Sequence, residues 1–599
     1  MRAFNQFLVI VLTGLLTSAA GLAAKEPKTL HVSFPIAETN FDPAQVSDLY
    51  SNTVIGGIFD GLLEYEFLAQ PVRIRPNTAA ALPEVSEDFR TFTIRVQPGI
   101  YFDDDPAFGG QRRELTAQDY VYSLKRHYDP RWRSPKIGAF TTARPIGLEA
   151  LHERALAGAP FDYDTEIEGV RALDRYTLQI KLEQPSPRFV YNFVGGGLIG
   201  AVAREVVEHY GDKIGDHPVG TGPFRLIDWQ RGSRIVLERN PTYREVFYNE
   251  HPAINDQARI ATATRFNGSR LPLVDRVQIS IIGEAQPRWL SFLNGQLDVI
   301  DVPSSFVNIA TPNHELAPHL EKRGIVLNRY PRTDLSVSYF NMEHPLVGGY
   351  EPRKVALRRA IALAVDVERE IQLVRHGQAI PAQSIIGPDV WSYDPAFKSE
   401  MSEFNLPRAK ALLDVYGYID HDGDEWRDQP DGSPLILEYA SQPDQQSRTL
   451  NELWKHDMDA LGVRIEFKTA SWPENLKASR AGKLMMWGVG WTVNVPEPDD
   501  FLLLGYGRDD SANRAHFKLR EFDELYELQV RLPNVAERIQ AIERAKRLLI
   551  AYMPYKVHVH RITSDLMQPW LLGYHGAHFR GLFWKYVDID EATKARPAF

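Results

Sequence analysis

The sequence predicts an α/β protein of more than one lobe, and three observations carry that reading. The chain has 599 residues, 44% hydrophobic and 24% charged, the composition of a folded protein with ample core. Runs that alternate apolar and polar residues, such as Thr91-Phe92-Thr93-Ile94-Arg95, are interleaved with runs of helical period. A Gly-Thr-Gly-Pro turn at 220–223 opens two strands, 224–229 and 234–239. They are joined at Arg231-Gly232-Ser233 and closed by Asn240-Pro241, which is a punctuated β-hairpin.

In chain order, residues 1–24 carry Arg2, the apolar run 7–12 and small residues ending at Ala23 and Ala24, the layout of a secretory signal peptide. Its apolar part is interrupted by Thr13, Gly14, Thr17 and Ser18, and a membrane span needs roughly 20 mostly apolar residues. The mature chain begins with a strand at 30–34 and a turn at Asn40-Phe41-Asp42-Pro43. Residues 51–63, with Val54, Ile55, Ile58, Phe59 and Leu62 at helical spacing, give a helix that ends near Gly61. Thr116 and Asp119 form a capping box for a helix through Arg126, and 176–182 is an alternating strand. The polar, turn-rich stretch 248–271 reads as a surface loop. Helices are expected over 355–364, after Asp366 as far as Gly377, and over 407–417. A last one carries a capping box of Asn534 and Glu537 and stops at Pro554.

Composition excludes several functions. A net charge of −10 argues against a nucleic-acid partner, which requires clustered Lys and Arg. With no cysteine there is neither a disulfide, nor a thiolate, nor an attachment point for a lipid anchor. No GxSxG, HExxH, Walker A or CxxC motif is present. Gly195-Gly196-Gly197-Leu198-Ile199-Gly200 matches GxGxxG, but no βαβ unit surrounds it. Asp420, Asp422 and Asp424 alternate as in a calcium loop, yet Glu425 stands where such a loop needs glycine and Asp431 where it needs Glu, so a surface turn is expected. His558, His560, His575 and His578 do not form a compact ligand set. No cofactor or metal is expected.

Gly220-Thr221-Gly222-Pro223-Phe224 followed by Leu237-Glu238-Arg239-Asn240-Pro241-Thr242-Tyr243 resembles the signature segment of the peptide/nickel-type solute-binding proteins of bacterial ABC importers, extracellular solute-binding protein family 5. Thr116-Ala117-Gln118-Asp119, Gly295-Gln296-Leu297-Asp298 and Gly490-Trp491 with Pro498 and Phe501-Leu502 match further elements of that family. The resemblance implies an α/β fold, periplasmic binding protein type II-like, with two lobes around a ligand cleft and an extra inserted domain. It places lobe I at 25–62, 198–302 and 561–599, the extra domain at 63–197 and lobe II at 303–560. The implied function is not enzymatic: a soluble monomer in the periplasm captures an oligopeptide or peptide-like solute and delivers it to ABC transporter permease subunits. A receptor for a non-peptide solute such as a modified peptide, glycan or metal chelate is the alternative, and an exported hydrolase a more distant one.

Ligand contacts are implied at Tyr50, Tyr339, Trp472, Trp491, Asn494 and Asn513. Trp491 lies in a Gly/Pro-rich loop that can present an aromatic surface to a cleft, whereas Trp487 reads as core. Asn494 occupies the position where the family carries an aspartate that pairs with a peptide's ammonium. An amide brings no opposite charge, so either Glu497, Asp499 or Asp500 substitutes or the ligand lacks a cationic amino terminus.

Overall fold

Thr29–Phe34 runs parallel to Arg276–Ile281, pairing Leu30 with Val277 and Val32 with Ile279, and the predicted hairpin extends this sheet antiparallel. The computed structural model describes residues 26–46, 48–140, 143–493, 495–509, 512–576, 579 and 582–595; the signal segment, Asn494 and His578 lie outside the described residues. Alternate residues of Thr29–Phe34 are buried, which seats Leu30, Val32 and Phe34 in a first hydrophobic core.

The signature hairpin shows why its residues are required. The Gly222 N–H donates to the Ile58 carbonyl at 2.8 Å, and a Cβ on Gly220 would lie 2.0 Å from that same oxygen. Only glycine lets the turn lie against the end of helix Leu49–Ile58. Asn240 then ties the far end of the hairpin back, donating from Nδ2 to the Gly222 carbonyl at 3.0 Å. The helix accordingly stops at Ile58, earlier than its apolar spacing predicts. The glycine cluster at 195–200 serves close packing too: a Cβ on Gly196 would meet the Phe59 carbonyl at 2.0 Å.

A smaller antiparallel sheet, ordered Glu84–Val85, Thr91–Arg95, Thr177–Lys181 and Val170–Ala172, shares the first core through Phe92, Ile94, Leu178 and Ile180. Beside it, helix Ala117–Arg126 starts at the predicted capping box, where the Thr116 N–H donates to Asp119 Oδ2 at 2.7 Å. A second core surrounds a five-stranded sheet ordered Arg464–Thr469, Ile436–Ser441, Met486–Thr492, Asp334–Phe340 and Tyr555–Val557.

The two cores are joined at a crossing. Val557 belongs to the second core; Val559–Met567 then pairs with Val299–Asp301 and Val326–Pro331, and Met567 ends in the first. The stretch 555–567, two consecutive strands, therefore reaches from the second core into the first.

Two local expectations are corrected. Residues 248–271 do not form a plain surface loop: helix Gln257–Phe266 packs Phe266 with Tyr248, Leu271 and Tyr586 in a satellite core. Helix Ala536–Tyr552 lacks the capping box of Asn534 and Glu537, because Val535 is its cap residue and Asn534 Oδ1 accepts from Arg538 instead. No described helix is long and apolar enough to cross a membrane.

Candidate functional site

The crossing strands floor a cavity of about 480 Å³. One wall is the end of the first sheet, Val32 to Pro35, with Tyr50 and Thr53 from helix Leu49–Ile58. The opposite wall brings Arg375, Gln378 and Gln446. Arg375, Gln446 and Arg561 also border a second cavity of about 250 Å³, so the two spaces adjoin. Together they make a cleft of the size that encloses a small organic ligand.

Charge is unevenly placed there. Arg288, Arg332, Arg375 and Arg561 line the first cavity against Asp301 and Asp565. Arg375 is paired with Glu370 at 2.9 Å. Arg332 and Arg561 share one buried carboxylate, Asp334, at 3.3 and 2.7 Å. Arg288 donates to the carbonyls of Ile282 and Gly283 and has no carboxylate partner among the described residues. Burial raises the Asp301 carboxyl, against the pull of Arg332, Arg288 and Arg561. Asp565 is pushed up to about 7, by burial first and by Asp301 second, while the Tyr574 hydroxyl donates to it at 2.7 Å.

The second cavity is lined by a hydrogen-bonded chain. His558 Nδ1 lies 2.8 Å from Glu370 Oε2 and its Nε2 lies 2.8 Å from Ser338 Oγ, which is 2.7 Å from the Tyr439 hydroxyl. A Cβ at Gly488 would fall 2.5 Å from that hydroxyl, so glycine makes room for the contact. Burial works to raise the Glu370 carboxyl, but His558 and then Arg375 hold it down at about 2.

The sequence profile described as bacterial extracellular solute-binding proteins, family 5 (middle), matches residues 73–513. The chain belongs to this family. Among family 5 relatives, it is 24% identical over 551 residues to Heme-binding protein A of Haemophilus influenzae, covering 90% of this chain and 88% of the relative. It is also 24% identical over 581 residues to the periplasmic oligopeptide-binding protein OppA of Salmonella typhimurium, covering 94% of each. Its fold matches that of the periplasmic binding protein DppA from Helicobacter pylori, solved in complex with peptide STSA, at a TM-score of 0.68, with 20% identity and coverage of 94% and 98%. The structure of HbpA2 from Haemophilus parasuis matches at a TM-score of 0.70, with 20% identity and coverage of 94% and 100%. The fold is the type II-like one of these periplasmic binding proteins.

Of the six residues that the family 5 resemblance singled out, the five that are described do not gather in one place. Tyr50 borders the first cavity, its ring 4.9 Å from Phe34. Tyr339 and Asn513 are each 1% exposed and face protein. The Tyr339 hydroxyl donates to Ser479 at 2.8 Å, and Asn513 Nδ2 donates to the carbonyls of Tyr506 and Phe517. Alternation along Asp334–Phe340 turns Ser336 and Ser338 toward the second cavity and Tyr339 away. Trp472 is exposed and packs at a tilt of 50° against Trp487, centroids 4.8 Å apart; the Trp491 indole N–H donates to the Asp500 carbonyl at 2.9 Å. Neither borders the two cavities. Two of the acids considered as substitutes for the missing aspartate are already paired: Glu497 with Arg538, and Asp499 with Arg538 and Arg188.

The remaining motif residues have local partners. His558 and His560 are buried on separate contacts, the second with its Nδ1 2.6 Å from the Asp334 carbonyl, and His575 bonds Thr262. The carboxylates of Asp420, Asp422 and Asp428 lie within 4.8 Å of one another, and each also caps a backbone N–H of its own loop. Arg288, Arg332, Arg375, Asp301 and Asp565 escaped the sequence reading because isolated charged residues look like solvated surface.

Proposed function

We propose that this chain is the periplasmic substrate-binding component of an ABC importer, which captures an oligopeptide or peptide-like solute between two lobes and presents it to a membrane permease. The observation that carries this reading is the cavity at the crossing, walled by residues of the first core and by Gln446 on helix Gln445–Leu461, which packs Trp454 and Met458 into the second. The oligopeptide binding of the relative OppA and the peptide in the neighbouring DppA structure support it. On this reading the lobes divide as the resemblance implies, and rotation about the crossing strands closes the cleft over the ligand.

Capture rather than turnover is the function we infer, although Ser338, His558 and Glu370 make the contacts of a hydrolytic triad. Ser338 is 1% exposed, stands in the middle of a strand paired on both sides, and shares its hydroxyl with Tyr439. A nucleophile needs an exposed Oγ beside hydrogen-bond donors aimed at the developing oxyanion. The test is calorimetry with the alanine homopeptides from dialanine to pentaalanine, followed by mass spectrometry of the peptide released on denaturation. One peptide per chain, recovered intact, is expected. Shortened peptide, or an acyl group left on the protein, would replace this reading with a hydrolase.

A further inference from the structure

Outside the crossing, one side chain rooted in the first core grips the second. Arg188 is the cap residue of the short helix Phe189–Phe193, whose Phe189 and Phe193 sit in the first core, with the Phe189 ring 5.4 Å from that of Phe92. Its guanidinium reaches the other way. Nε donates to Asp499 Oδ2, Nη1 to the Leu532 carbonyl at 2.8 Å, and Nη2 to the carbonyls of Gln529, at 3.0 Å, and Val530. Of the five N–H groups that a guanidinium carries, these bonds occupy four, and the side chain is only 10% exposed.

Every acceptor belongs to the second core's side. Asp499 precedes Phe501 of that core, and the three carbonyls end helix Arg520–Arg531, which packs Phe522 and Tyr526 there. Carbonyls at the end of a helix lack donors within it and carry the negative end of its dipole, so a cation is the fitting cap. Tyr191, on the same short helix as Phe189, donates its hydroxyl to Glu497 Oε1 at 3.3 Å. The receiving groups are fixed by the second core's own contacts: Arg538 binds Glu497, Asp499 and the Gln529 side chain, and the Trp391 N–H donates to the Pro496 carbonyl at 2.9 Å.

Resting on the reading that two lobes close over a captured solute, we propose that Arg188 is the latch of the closed form, and that its docking on the end of helix Arg520–Arg531 sets how firmly a ligand is retained. The contact suits a latch better than a permanent seam. It is made by one guanidinium and one hydroxyl; on release water replaces each bond, and Asp499 stays paired with Arg538. Units of one chain move relative to each other unless a large apolar interface joins them. The latch is also coupled to the cleft, because Gly488, Val489 and Gly490 line the second cavity and the same stretch of chain leads on to Glu497 and Asp499. Arg188 itself borders neither cavity. It therefore acts on every ligand alike: apparent affinity falls with the fraction of chains that are latched.

The experiment compares the mature wild type with Arg188→Gln and Arg188→Lys, by small-angle scattering without added peptide and by isothermal titration with dialanine to pentaalanine. Arg188→Gln is expected to have the larger radius of gyration. It should bind each alanine peptide that the wild type binds about tenfold more weakly, about 1.4 kcal/mol, by the same factor along the series. Arg188→Lys keeps a charge for Asp499 but loses the planar fork, so it should fall between the two in both measurements. Identical scattering and identical affinities overturn the latch while peptide capture stands. A loss of affinity with unchanged scattering would make Arg188 a ligand contact, and expansion with unchanged affinity would separate it from retention; either result overturns the proposal. If no alanine peptide binds any of the three proteins, the capture of these peptides fails by itself. The scattering then decides the latch: expansion of Arg188→Gln supports it, and an unchanged profile overturns it.

Discussion

Replacing Arg538 with methionine will lower stability by about 3–5 kcal/mol, as removal of one partner from a buried ion pair does. The guanidinium is fully buried, with Nη1 2.8 Å from Glu497 Oε2 and Nη2 3.2 Å from Asp499 Oδ1, and it lies over the Trp391 ring at 4.7 Å. Glu497 has a side chain only 2% exposed, so the variant leaves a carboxylate in the interior facing little more than the Tyr191 hydroxyl at 3.3 Å. Arg188 pairs with Asp499 and donates to the Leu532 carbonyl, which ties the chain beside Phe189 in the first core to the second lobe. Urea denaturation of wild type, Arg538→Met and the double variant Arg538→Met/Glu497→Gln measures the effect. The double variant should recover much of the loss, because the penalty is the unpaired charge. A single variant within about 1 kcal/mol of wild type would mean that the pair is not buried as described.

Glu370→Gln should show the second large effect, and its dependence on pH identifies the cause. A carboxyl held at about 2 in the folded protein against an ordinary 4.5 corresponds to about 3 kcal/mol of stability. The folded value is the depressed one, so this contribution is fully present above about 4.5 and is lost as pH falls toward 2. The variant lacks the charge that faces His558 and Arg375. It should therefore be about 2–3 kcal/mol less stable at neutral pH and converge with wild type in acid. Thermal melts from pH 7 down to pH 3 make the comparison. A gap that stays constant over that range would assign the effect to packing rather than to charge.

The sequence made the fold legible wherever a rule is local. Two glycines and a proline at 220–223 define a turn whatever surrounds it, and the structure adds only that Ile58 is the neighbour that forbids a side chain there. Thr116 and Asp119 cap their helix because both partners lie within one turn. Asn534 has the same spacing to Glu537 and fails, since a buried arginine in the same helix competes for its oxygen. The helix at 257–266 was hidden by a polar sequence: its apolar contact, Phe266, packs in one cluster with Tyr586, from the far end of the chain.

The site was far less legible. Its charged residues come from 288, 301, 332, 375, 561 and 565, and no periodicity links them. Aromatic residues stood out in the sequence, yet three of the four that were singled out lie away from the two cavities: Tyr339 bonds Ser479, Trp472 packs against Trp487, and Trp491 bonds the Asp500 carbonyl. Ser338, Glu370 and His558 meet only because a strand, a helix and the crossing strand converge on one cavity.

Isothermal titration of Tyr50→Ala with an alanine peptide that binds the wild type tests most directly whether the ligand lies at the crossing of the two lobes. Tyr50 is half-buried at the edge of the first cavity and has no role in either main sheet. If the ligand occupies that space, the variant should bind about 1–3 kcal/mol more weakly, as on truncation of an aromatic at an interface, with the melting temperature of the empty protein nearly unchanged. Unchanged affinity in a correctly folded Tyr50→Ala protein would contradict the account and move the ligand elsewhere.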